Sequence, residues 1–129
     1  MILVDTSIIV AWLDAAHPQH KECTQALARC AGEDELAVSV VTYGELSAGG
    51  RTREAIEEDL RMFRKLDLEA DAAYRAGAAF RRHRWSGGEA RPVLPDFMIR
   101  AQAASLGIPH LTNDRRRRTG FPDVEFLFP

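Results

Sequence analysis

The chain opens "MILVDTSIIVAW", Met1 to Trp12. Up to Val10 only Asp5, Thr6 and Ser7 are not apolar, so a carboxylate stands inside what would otherwise be core. Asp is almost never fully buried unless it is paired or holds a metal. "ILVD" predicts a short, fully buried strand ending on Asp5, and "TSIIVAWL" an apolar helix start with Thr6 as its N-cap. A strand that runs straight into a helix is the building unit of a parallel sheet. It places Asp5 at the strand's C-terminal end, on the edge where such sheets bind ligands.

The alternation continues along the chain. Pro18 to Ala31 predicts a helix with Ala26, Leu27 and Cys30 inward, stopped by Gly32. "LAVSVVT" is β-branched and strand-like, and "TYGELSAGG" begins a helix that ends at paired glycines. Arg53 to Leu66 places Ile56, Leu60, Phe63 and Leu66 at helical spacing, and Asp71 to Trp85 does the same with Ala73, Ala76, Gly77 and Phe80. "WSGGEARP" predicts a loop, Pro95 to Leu106 a helix, and "IPHLT" and "VEFLF" the last two strands. Strands alternating with helices argue for an α/β sandwich around a mainly parallel sheet. With no repeat or linker, residues 1–129 read as a single domain.

Hydrophobic content of 46 % and charged content of 28 % are ordinary globular values, which argues for a folded, soluble protein. There is no run of about 18 apolar residues to cross a membrane. The apolar start lacks a basic n-region, which argues against a signal peptide and for a cytoplasmic protein. Cys23 and Cys30 share a helix face but lie too far apart to bridge, and read as free core thiols of a reducing compartment. A net charge of −2 points away from a simple electrostatic nucleic-acid binder. That average hides a skew, because Lys and Arg total 17 and all but Lys21 and Lys65 are arginine, with runs at Arg81 to Arg84 and Arg115 to Arg118. An Arg run is commonly a solvated turn, and Arg is also the better phosphate partner.

Four acids share one placement. Asp5 ends the first strand, Glu45 lies one turn into the helix after the second, Asp96 sits in the first turn of "PDFMIRAQAASLG", and Asp114 follows directly on "HLT". All four can therefore meet in one cleft at the sheet edge. Each later acid also has a purely structural reading. Thr42 and Glu45 form T-x-x-E, a capping box. Asp96 behind Pro95 suits a helix dipole, and Asp114 in "TNDRR" suits an Asx-turn or an ion pair with its arginines. Two carboxylates about 4 Å apart repel by about 4 kcal/mol at an effective dielectric near 20, so converging acids need cations or protons. Oxygen-only ligation selects hard divalent ions, Mg²⁺ or Mn²⁺. His17, His20, His83 and His110 have no zinc spacing and read as surface or core residues.

"VDTS" closing the first strand, "TYGEL" after the second, and "LPDFMIRAQAASLGIPHLTND" near the C-terminus resemble the PIN domain. Within it they resemble the VapC-like ribonuclease toxins of type II toxin–antitoxin pairs. The likeness spans essentially the whole chain. It implies a PIN-like α/β/α sandwich, divalent-metal-dependent cleavage of RNA, a homodimer, and a cognate antitoxin whose tail blocks the site. Carried over residue by residue, it makes Asp5, Glu45 and Asp96 the acidic metal ligands, with Asp114 as the fourth. Thr6, Ser7, Thr112 and Asn113 become the small polar residues near them. Arg100 stands where the family helix carries a small apolar residue, and is expected to reach substrate phosphate or solvent.

The expected chemistry is phosphodiester hydrolysis assisted by one or two Mg²⁺ or Mn²⁺ ions, with a metal-activated water attacking phosphorus in line. No Ser, His or Cys nucleophile is required. Arg115, Arg116, Arg117 and Arg118 would stand at the rim and position the RNA backbone. Two other classes compete with this reading. One is a catalytically silent PIN-like module that binds RNA or a protein partner. The other is a phosphoacceptor signalling domain, which needs paired acids after the first strand and a lysine near the last; here Asp5 stands alone and neither Lys21 nor Lys65 is so placed.

Overall fold

The computed structural model describes residues 1–85, 93–115 and 120–129. The elements are β1 (Ile2–Val4), α1 (Thr6–Leu13), α2 (His20–Ala31), β2 (Leu36–Ser39), α3 (Val40–Ala48), α4 (Arg53–Asp59), β3 (Arg64–Leu66), α5 (Ala70–Trp85), α6 (Leu94–Leu106), β4 (His110–Leu111) and β5 (Phe126–Leu127). The strands form one sheet in the order β3-β2-β1-β4-β5, and every pairing is parallel.

Successive side chains of a strand point to opposite faces, and β1 shows how that builds two cores. Ile2 and Val4 pack with Leu36, Val38 and Leu111, and with Ile8, Ile9, Cys23, Leu27 and Ile56 from the helices of one face. Leu3 and Ala37 pack with Ala72, Ala76, Phe97 and Ile99 from α5 and α6 on the other. A strand covered on both faces needs apolar residues at every position, which is why "ILV" shows no alternation. The result is the expected α/β/α sandwich. Cys23 and Cys30 are buried free thiols within it. Among the described residues no helix is long and apolar enough to cross a membrane.

Three expected boundaries differ. The helix that starts behind β1 is capped by Asp5, not Thr6: the Asp5 carboxylate accepts from the Ser7 N–H, and its carbonyl accepts from Ile8 and Ile9. Both residue types cap well, so only the point at which the strand stops decides between them. The second strand ends at Ser39 instead of continuing to Thr42. Ser39 Oγ accepts from the Val41 N–H at 3.1 Å and starts α3 at Val40. Arg53 to Leu66 is not one helix either. Helix α4 ends at Asp59, and residues 64–66 form β3 against β2, pairing Ala37 with Arg64 and Ser39 with Leu66. The outer edge of β2 exposes backbone donors and acceptors that a short strand satisfies, while Leu60 and Phe63 still reach the core from the turn between. The expected loop "WSGGEARP" lies outside the described residues from position 86 on.

Because Ser39 is fully buried and holds the start of α3, Ser39→Ala is expected to lower stability by about 1 kcal/mol. Urea denaturation measures this directly.

Helix α6 begins with Pro95 in its first turn and ends on Gly107, whose φ of +64° closes the helix in the left-handed conformation that glycine adopts without strain. Its second turn is anchored by Phe97, fully buried between the rings of Phe80 and Phe121. The chain position next to that anchor is Asp96.

Candidate active site

The register of β1 on β4 pairs Val4 with Leu111, and the Asp5 N–H continues the ladder onto the Leu111 carbonyl at 2.8 Å. Asp5 thus stands beside Thr112 at the C-terminal edge of the central strands. Its carboxylate is nearly buried, and one oxygen is well supplied: Oδ2 accepts from Ser7 Oγ at 2.5 Å, from the Ser7 N–H at 3.2 Å and from Thr112 Oγ1 at 3.2 Å. The other oxygen, Oδ1, faces His110 Nε2 at 3.6 Å. His110 is itself buried, with Nδ1 at 3.2 Å from the Leu3 carbonyl and its ring edge-on to Phe126. The Nδ1–H donates to that carbonyl, which leaves Nε2 turned towards Oδ1 of Asp5. Burial pushes the Asp5 carboxyl up, but His110 and the Ser7 donors outweigh it and bring it down to about 2.

Glu45 is held from a different direction. Thr6 Oγ1 donates to Glu45 Oε1 at 2.8 Å, and Thr42 Oγ1 lies 2.9 Å from Thr6 Oγ1. With the Thr6 proton committed to Glu45, the buried Thr42 hydroxyl is the donor to Thr6. The T-x-x-E pair is therefore not a capping box. Ser39 takes the cap, Thr42 turns into the interior, and Glu45 is left to the cleft. Burial raises the Glu45 carboxyl; Asp96 and Asp5 add to the rise, and Thr6 opposes it.

Asp96 realises its structural reading and its place in the cleft together. Its Oδ2 accepts from the Val93 N–H at 3.1 Å across the first turn of α6, and it lines the same cleft as Asp5, Glu45 and Asp114. Asp114 is placed through its backbone, its N–H donating to Thr112 Oγ1 at 3.2 Å, as in a turn built on a threonine side chain. The Asn113 N–H donates to Ser7 Oγ at 3.2 Å. Ser7 and Thr112 thus each accept from the loop after β4 and donate to Asp5, which fixes that loop relative to the carboxylate. The cleft has a volume of about 990 Å³.

At the rim, the Arg115 guanidinium lies 4.8 Å from the centre of the Phe128 ring and donates to the Pro129 carbonyl at 3.2 Å. Arg116, Arg117 and Arg118 lie outside the described residues. Arg100 does not reach solvent: it is buried, with its guanidinium 5.0 Å from the centre of the Phe97 ring. Sequence reasoning missed His110 as the neighbour of Asp5. The only available signal was the pairing of "HLT" beside "ILVD", which sets their side chains at one strand edge.

The donor set answers whether a divalent ion suits the cleft. Carboxylates from five segments line it, Asp5, Glu22, Glu45, Asp96 and Asp114, and the repulsion from Asp96 and Asp5 that adds to the effect of burial on Glu45 is what a cation relieves. Hard oxygen donors of this kind fit Mg²⁺ or Mn²⁺. As the side chains stand, no three of His, Cys, Asp or Glu among the described residues close on a common point.

The PIN domain family profile matches residues 2–127. The chain belongs to the PIN domain family. No curated protein matches its sequence. Among solved structures, this PIN domain is similar to VapBC2 from Rickettsia felis bound to a promoter DNA fragment, at 19 % identity and a TM-score of 0.74 over 100 % of this chain and 99 % of that one. It is similar to a toxin–antitoxin complex from Klebsiella pneumoniae, at 24 % identity and a TM-score of 0.71 over 96 % and 95 %. It is also similar to VapC20 of Mycobacterium tuberculosis, a Sarcin-Ricin loop cleaving toxin, at 20 % identity and a TM-score of 0.70 over 97 % and 99 %. At these identities the likeness is one of fold.

Proposed function

We propose that this PIN domain is a metal-dependent endoribonuclease, the toxin of a toxin–antitoxin pair, acting as a homodimer and restrained by a cognate antitoxin. The observation that carries the reading is the placement of Asp5, Glu45, Asp96 and Asp114 around one cleft at the C-terminal edge of the sheet. The toxin–antitoxin complexes and the Sarcin-Ricin loop cleaving toxin among its structural neighbours support it.

In this reading Asp5, Glu45 and Asp96 hold Mg²⁺ or Mn²⁺, with Asp114 as the fourth acid. The chemistry such an ion supplies when bound is activation of water and neutralisation of charge at the phosphate. The protein's part is positioning. Ser7 and Thr112 hold Oδ2 of Asp5 and His110 faces Oδ1, which together fix the carboxylate at the cleft. Thr42 and Thr6 fix Glu45, and the Phe97 anchor fixes Asp96. Arg115 stands at the rim, where a cation offsets the repulsion between an acidic cleft and an RNA backbone. The same acidity suits a basic side chain of an antitoxin tail, which competes with the metal for the carboxylates.

The test is cleavage of a structured RNA with Mg²⁺ or Mn²⁺ present and with EDTA. Asp96→Asn is expected to lower the rate at least about 100-fold, and EDTA to abolish it. Full activity in Asp96→Asn, or in EDTA, removes the metal-carboxylate reading. An inert wild type that binds neither ion at millimolar concentration favours the silent partner-binding module instead.

A further inference from the structure

Resting on the ribonuclease reading, we propose that Gln19 and Asn113 form a nucleobase-reading subsite beside the carboxylates, which takes one unpaired base of a single-stranded RNA by its hydrogen-bonding edge. Gln19 immediately precedes α2 and Asn113 lies just beyond β4, yet their side-chain amides meet, with Asn113 Nδ2 donating to Gln19 Oε1. That contact uses one donor and one acceptor. Among the described residues nothing engages Gln19 Nε2 or Asn113 Oδ1. The pair therefore presents donors and an acceptor side by side in a cleft that both residues line. Exchanging O and N in both amides leaves the same set, so the conclusion does not depend on how the amides are oriented.

Every nucleobase carries a donor next to an acceptor on its Watson–Crick edge, and carboxamides match such edges two bonds at a time. The surroundings suit a base as well. His17 Nδ1 accepts from the Gln19 N–H at 3.0 Å, which fixes the imidazole in the cleft wall. Val10, 43 % exposed, adds apolar surface to the same wall. Unstacked bases rest on aromatic and apolar side chains of this kind. The subsite is also connected to the acid. The Asn113 backbone N–H donates to Ser7 Oγ, which donates to Asp5, so a base seated on Asn113 fixes the strand relative to that carboxylate. Because this link is main-chain, the Asn113 side chain can be removed without breaking it.

The test uses fluorogenic RNA oligonucleotides that differ only at nucleotides flanking the scissile bond, cleaved by the wild type and by Gln19→Ala, Asn113→Ala and Asn113→Asp. The wild type is expected to rank the bases at one position. In both alanine variants the ratio of kcat/KM between best and worst base falls by about tenfold or more. Asn113→Asp, which replaces a donor with an acceptor, re-orders the ranking. A second readout needs no turnover: in Asp96→Asn protein, the side-chain amide NMR signals of Gln19 and Asn113 shift with the preferred trinucleotide more than with the disfavoured one. A flat wild-type profile, or unchanged rankings in all three variants with unmoved amide signals, overturns the subsite and leaves the ribonuclease reading intact. A wild type that cleaves no RNA under any metal condition overturns both.

Discussion

In metal-free buffer at pH 7, Asp5→Asn is expected to lower stability by about 1–2 kcal/mol and Glu45→Gln to raise it, although under the proposed function each substitution is expected to remove RNA cleavage. The two acids face the same cleft and differ in what holds them. The Asp5 carboxyl sits at about 2 in the folded chain against an ordinary value of 3.8, so its ionised form is favoured by folding. That shift corresponds to about 2 kcal/mol, of which an amide keeps the part that neutral hydrogen bonds supply. The contribution is present above pH 3.8 and is lost as pH falls towards 2, so the deficit of Asp5→Asn shrinks over that range. Glu45 has the opposite sign. Burial, Asp96 and Asp5 raise its carboxyl above the ordinary 4.5, so folding favours the protonated form and the ionised form costs stability at neutral pH. Gln removes that cost. The gain appears as pH climbs above 4.5 and vanishes below it. Denaturant midpoints from pH 3 to 8 in EDTA measure both curves. Added Mn²⁺ is expected to raise the midpoint of the wild type and not of Asp5→Asn, since a ligand that binds only the native state stabilises it. Two variants that moved together would mean that the cleft does not separate its acids electrostatically.

The opposition between the two acids also marks where sequence could and could not speak. Asp5 was conspicuous because nothing apolar in "MILVDTSIIV" excuses a charge, and the strand-then-helix order put it on the correct edge of the sheet. Glu45 was ambiguous because T-x-x-E reads identically whether Thr42 is the first residue of a helix or lies within it. The two cases differ only in where β2 stops, and that is set by Ser39 capping α3. The three residues of β3 were invisible for a related reason. "RKL" is too short to alternate, and it pairs because β2 offers an open edge, a property of another segment. His110 lies further still from local reading. A histidine before "LT" has no pattern, and what makes it matter is a sheet register linking β1 to β4 across most of the chain.

That register underlies the second large effect. His110→Ala is expected to lower stability by about 3 kcal/mol or more, a sizeable part of what holds a domain of this size together. The substitution empties space against Phe126, removes the donor from the Leu3 carbonyl, and leaves Oδ1 of a nearly buried Asp5 without its imidazole neighbour. Two further variants separate these losses. His110→Phe keeps the ring volume and removes both nitrogens, so it isolates the polar part, expected at about 2 kcal/mol. His110→Gln places an amide nitrogen where Nε2 was and is expected to recover part of the loss, whereas His110→Asn, which reaches only the Nδ1 position, recovers less. The interaction with Asp5 is then read from a cycle of Asp5→Asn, His110→Phe and the double variant. If His110 is what makes an ionised Asp5 tolerable in this core, the phenylalanine costs less once Asp5 is neutral. The double variant then falls short of the sum of the singles by about 1 kcal/mol or more. Additive losses would instead make His110 a packing residue whose distance to Asp5 has no energetic content. The carboxylate in "ILVD" would then depend on Ser7 and Thr112 alone.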